Sequence, residues 1–73
     1  MTAYLVKYCA QEKGAYIVGV LSAHMSARTA QHELAETSRD LMATGFEQQG
    51  DGSVFATKSR TITLYIETLT IID

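Results

Sequence analysis

Two short apolar runs, Ala3–Cys9 and Ala15–Leu21, open the chain, and each is rich in Tyr, Val and Ile. Between them lies Ala10-Gln11-Glu12-Lys13-Gly14. Strand-favouring side chains on both sides of a small or polar segment ending in glycine predict a β-hairpin. From Ser26 the period lengthens: Ala27, Ala30, Leu34, Ala35, Ser38, Leu41 and Met42 fall in one arc of a helical wheel. The opposite arc carries Arg28, Thr29, His32, Glu33, Glu36, Arg39 and Asp40, so the pattern predicts one amphipathic helix over roughly Ser26–Thr44. Ser26 suits the N-cap, where its hydroxyl accepts from an unpaired first-turn amide, and Ser22 serves if the helix begins earlier. Gly45 suits the stop, because glycine takes the left-handed conformation that closes a helix. Alanine in the first two core-facing turns permits close approach to the sheet, with Gly19 as the expected floor.

Beyond the helix, Phe46–Gln49 and Ser53–Thr57 flank the turn sequence Gly50-Asp51-Gly52 and predict a second hairpin. Lys58-Ser59-Arg60 then leads into Thr61–Ile72, a long Thr/Ile/Leu run without proline. Its apolar positions alternate through Ile62, Leu64 and Ile66 and then lose phase at Leu69, Ile71 and Ile72, which predicts a bulge or a terminal segment that leaves the sheet. The expected fold is α+β, in the order β-β-α-β-β(-β), with a single amphipathic helix packed on one face of an antiparallel sheet and residues 1–73 forming one domain.

Alternation assigns Leu5 and Cys9, then Ile17, Gly19 and Leu21, then Ile62, Leu64 and Ile66 to the side beneath the helix. The opposite parity holds Tyr4, Val6, Tyr8, Tyr16, Val18, Val20 and Tyr65. Both parities of the first two runs are apolar, as in strands covered on both sides, and one helix covers only one. An uncovered apolar face of this kind marks an interaction surface. The expected contact residues are therefore Tyr4, Val6, Tyr8, Tyr16, Val18, Val20 and Tyr65, with Leu69 and Ile71 along the last run.

Length strengthens this expectation. A chain of 73 residues lies near the lower limit of independent folding, where disulfides, metals or a second subunit usually supply extra stability. Cys9 is the single cysteine, and no His/Cys cluster stands at metal-ligand spacing, so neither a metal nor another cofactor is expected. Oligomerisation is the remaining support, and a symmetric homodimer is its commonest closed form. A further protein partner fits the same surface.

Charge narrows the partner classes. The formal net charge is −2 with six Lys and Arg, which disfavours a duplex-binding protein. Single-stranded nucleic acid is the alternative, with Tyr8, Tyr16 and Tyr65 stacking on bases and Lys58 and Arg60 at the margin. Tyrosine equally serves protein interfaces, and the acidic balance favours that reading. The N-terminus lacks a basic leader followed by a long apolar stretch, and no run approaches a membrane span, so a cytoplasmic protein without membrane association is expected.

Catalytic chemistry finds little footing. His24 and His32 are eight residues apart, too far for the one-turn pair of a helical zinc site. His32 and Glu36 fit a solvated surface pair on the helix. Gly50-Asp51-Gly52 lacks both phosphate-binding fingerprints. Cys9 and His24 would line a sheet–helix ligand pocket only if the turn after Leu21 returned over the first strand. The sequence thus predicts a small, non-enzymatic accessory or regulatory module that self-associates through a tyrosine-rich sheet face.

Overall fold

The computed structural model describes residues 1–72. Strands β1 (Thr2–Glu12) and β2 (Ala15–His24) form the first hairpin, helix α1 (Ala27–Ala43) follows, and β3 (Glu47–Gln49), β4 (Val54–Ala56) and β5 (Arg60–Thr70) complete one antiparallel sheet. Its strand order is β2-β1-β5-β4-β3, so the first and last strands, β1 and β5, pair side by side within the sheet. The α+β class and the element order agree with the sequence pattern. No helix among the described residues is long and apolar enough to cross a membrane.

Local chemistry accounts for the helix ends. Ser26 is extended and its Oγ accepts from the Arg28 N–H at 3.2 Å, satisfying a first-turn donor. At the far end the Phe46 N–H reaches the Leu41 carbonyl at 3.0 Å and the Gly45 N–H reaches that of Met42, a Schellman closure. The first hairpin is tighter than the five-residue spacer implied. Both strands extend into it, leaving a two-residue turn in which Lys13 and Gly14 both have positive φ, as such turns require.

Phe55, Leu64 and Val6 are the largest fully buried side chains, with Ala3, Ala30 and Ser38 also buried. Phe55 pairs with Ile62 on the side of the sheet that carries Leu64 and Val6, and α1 lies over this side. The buried arc of the helix is rotated from the expected one. Ala27, Ala35 and Met42 are exposed, whereas Glu33 and Thr37 join Ala30, Leu34, Ser38 and Leu41 towards the sheet. Ser38 tolerates burial because its Oγ donates to the Leu34 carbonyl at 2.8 Å.

Two further expectations are corrected. The facing of β1 is reversed: Val6 lies opposite Ile66 and Tyr8 opposite Leu64, so they share the helix side, while Leu5 and Cys9 face away. The cause is Lys7, which has the parity of Leu5 and Cys9 and would otherwise be driven beneath the helix without a partner. The irregularity also sits in a different strand. β5 pairs with β1 without a break from Arg60 to Thr70, and the bulge is in β2, where Leu21 is the extra residue between the Val6–Ser22 and Lys7–Val20 pairs. Gly19 lies opposite Tyr8, and the tip of that ring closes over it in place of the helical alanines.

Candidate interaction surface: the β2 edge and the open sheet face

Strand register distributes the expected contact residues over two faces. Tyr16, Val18, Val20 and Tyr65 share the open face, and Leu69 joins them through its pairing with Ala3. Tyr4, Val6 and Tyr8 lie on the helix side, and the complete burial of Val6 removes it from any surface. Ile71 lies just past β5, where it exchanges two backbone bonds with Met1.

The open face is less apolar than alternation suggested. Its centre is Lys7, whose Nζ lies 2.9 Å from Glu67 Oε2 and 5.8 Å from the centroid of the Tyr65 ring. The hydrogen bond to Glu67 holds the ammonium above its ordinary pKa. Thr61 and Thr63 extend the same polar strip along β5. An antiparallel sheet can present such a face to water.

Apolar exposure concentrates in β2. Tyr16 is 63% exposed, Ile17 59%, Val20 55%, Leu21 46% and Val18 45%. These residues come from both faces, so the exposed feature is the strand itself, at the rim of the sheet. Its ten residues contain no Asp, Glu, Lys, Arg or Pro. The helix leaves part of this strand bare. At 17 residues α1 spans about 25 Å, whereas the molecule is 44 Å long. Leu41, near its C-terminus, reaches the recess lined by Tyr8, Leu21 and Ile62.

Backbone bonding identifies the free groups of β2. Met1 and Ile71 exchange both hydrogen bonds, at 2.7 and 3.4 Å. Such pairs alternate along an antiparallel ladder, and the β1–β5 register is unbroken, so Lys7–Tyr65 and Cys9–Thr63 are bonded pairs as well. The intervening residues of β1 therefore turn towards β2, making Tyr8–Gly19 and Ala10–Ile17 the bonded pairs there. The N–H and C=O groups of Tyr16, Val18 and Val20 point outward.

The other free flanks differ. β3, the opposite rim, is only Glu47-Gln48-Gln49. β5 is unpaired beyond the short β4, but its outward groups belong to Ile66, Thr68 and Thr70, beside the charged Glu67. Short or charged edges resist pairing with another chain, and β2 has neither protection.

The remaining candidate chemistry is dispersed. Cys9, opposite Val18, faces away from the helix, whereas His24, opposite Tyr4, lies on the helix side, so they do not line a common pocket. Cys9 instead neighbours Tyr16, and its hydrogen bonding and charge hold that phenol above its ordinary pKa. His24 Nε2 lies 2.8 Å from Ser22 Oγ, a contact missed by sequence reasoning, which ends the second run at Leu21. Among the described residues no carboxylate is hydrogen-bonded to this pair, and an unoriented imidazole is a poor base for activating a hydroxyl. His32 and Glu36 form the expected surface pair at 3.1 Å. Arg60 is engaged by Glu12 at 2.8 Å, while Lys58 stands in the β4–β5 turn. No group of three or more potential metal ligands occurs among the described residues. No family model, curated protein or solved structure matches the chain.

Proposed function

We propose that this chain is a non-enzymatic interaction module that self-associates and acts through the outer strand β2 and the adjoining open face. The observation carrying this reading is an uncharged ten-residue rim strand with apolar side chains exposed on both faces. Its outward backbone groups supply affinity and the side chains supply selectivity, as in recognition by strand addition. A regulatory or accessory role follows if occupation of this rim masks it from other chains.

Molecular dimensions support the same reading. The surface is 5030 Å², against about 4,500 Å² for a compact monomer of this mass. The radius of gyration is 13.1 Å, against about 11 Å for a compact chain of this length. Single-stranded nucleic acid draws less support: Tyr16 and Tyr65 share a face that Tyr8 does not, and Glu12 already occupies Arg60. Sedimentation equilibrium between 1 and 100 µM should give a mass above that of one chain. A single-chain mass throughout that range would overturn self-association.

A further inference from the structure

We infer that the partner is a second copy of this chain, joined β2 to β2 in antiparallel register about a two-fold axis through Val18. This rests on the self-association proposed above and specifies its geometry. The outward groups of Tyr16, Val18 and Val20 are symmetric about Val18. Antiparallel pairing centred there makes Val18 a bonded pair with the partner's Val18, and Tyr16 with the partner's Val20. Each pair exchanges both its N–H···O=C bonds. The axis is normal to the sheet, so the two five-stranded sheets become one ten-stranded sheet with both helices on the same side.

Side chains match in this register. On the open face the two Val18 side chains meet, and each Tyr16 ring lies against the partner's Val20. On the helix side each exposed Ile17 lies opposite the partner's Gly19, where the tip of the Tyr8 ring already covers the glycine and presents its edge to the Ile17 side chain. The bulge at Leu21 ends the straight portion of the rim, so the pairing runs from Ala15 to Leu21. Exposed area on these side chains is on the order of 500 Å² per chain, so two copies bury at most about 1,000 Å² of it, the lower bound of a specific interface. It is comparable with the excess surface of the monomer.

Backbone direction supplies a selective test. The Val18 N–H has no partner among the described residues, so Val18→Pro removes no hydrogen bond seen within them, and proline is tolerated on the outward side of an edge strand. It does remove a bond across the proposed axis. Val18→Lys places like charges directly opposite one another at that axis. Both variants should sediment as single chains at 20 µM, where the parent sediments as a dimer, with the parent's circular dichroism retained. Thr68→Pro, the matching change on the free flank of β5, should remain dimeric. Hydrogen exchange of the unaltered protein provides a readout independent of variant folding: the Tyr16, Val18 and Val20 amides should be protected. A parent dimer with rapid exchange at these amides, or dimers persisting in folded Val18→Pro and Val18→Lys, would overturn β2 pairing while leaving self-association intact. A monomeric parent would overturn both.

Discussion

Gly19→Ala probes the closest approach in the sheet, and its outcome should change sign with the residue opposite. A Cβ built on Gly19 would stand 2.5 Å from Tyr8 Cε1 and 2.6 Å from both Cζ and Oη, well inside the roughly 3.5–4.0 Å of a comfortable contact. Gly19 is absent from the positive-φ residues, so alanine meets no backbone strain there. Two terms then compete. Replacing a mid-strand glycine contributes about 0.5–1 kcal/mol of stability through reduced chain entropy. Displacing the Tyr8 ring from its seat costs about 1–3 kcal/mol, as other overpacking substitutions do. The expected net loss is about 1–2 kcal/mol. Tyr8→Leu removes the three atoms in conflict and keeps an apolar side chain on the helix side. In that background Gly19→Ala should stabilise by about 0.5–1 kcal/mol. Urea unfolding followed by circular dichroism, at one protein concentration so that association contributes equally, measures all four corners of the cycle. With a slope near 1 kcal/mol/M, the midpoint should fall by about 1–2 M in the native background and rise in the Tyr8→Leu background. An alanine that raises the midpoint with Tyr8 present, or has the same effect in both backgrounds, would refute the steric account.

Two further perturbations test the core and a turn. Phe55→Ala should cost about 3–5 kcal/mol, against a total near 4–11 kcal/mol for a chain of this length. A thermal melt should then show the midpoint lowered by about 12–40 °C, and a midpoint within a few degrees of the parent would contradict the central place of Phe55. Asp51 accepts from the Ser53 hydroxyl at 2.6 Å and the Ser53 N–H at 2.9 Å, which hold its carboxyl below the ordinary range. Because the folded-state value is the lower one, the contribution is fully present above the unfolded-state pKa and is lost as pH falls through the folded-state value. An NMR titration should find Asp51 ionising below the ordinary range, and Asp51→Ala should flatten the acid side of the stability profile; an ordinary titration would contradict the hydrogen-bond assignment.

Much of this architecture is written in local patterns. The helix stands out because polar and apolar arcs, Ser26 and Gly45 all agree, and the strands of the first hairpin are separated by turn chemistry. β2 and β5 could be faced correctly by alternation: Ile17, Gly19 and Leu21, like Ile62, Leu64 and Ile66, are on the helix side. β1 could not be faced by hydrophobicity alone, since Tyr4, Val6 and Tyr8 are as apolar as Leu5 and Cys9. Lys7 was the decisive residue, because its charge excludes its own parity from the core. The outward direction of the Val18 backbone was not legible at all. It follows from the registers of β1 with both neighbours, which are non-local, and no property of the β2 segment encodes it. The separation of Cys9 from His24 follows from the same registers.

These registers also move the candidate site from a face to a rim. An apolar sheet face and an apolar edge strand have similar sequence signatures, because both contain consecutive residues that favour β structure. They differ in what each requires of a partner: a face needs complementary side chains, whereas an edge needs a second strand with free backbone groups. Lys7, Glu67, Thr61 and Thr63 make the centre of the open face compatible with water, so it imposes no demand for a second layer. Tyr16, Val18 and Val20 combine exposed side chains with unpaired backbone groups, and side-chain contact alone satisfies only half of that exposure. A second β2 strand, as proposed, would satisfy both halves, and its two-fold symmetry would end the assembly at two chains because each copy has one such rim among the described residues.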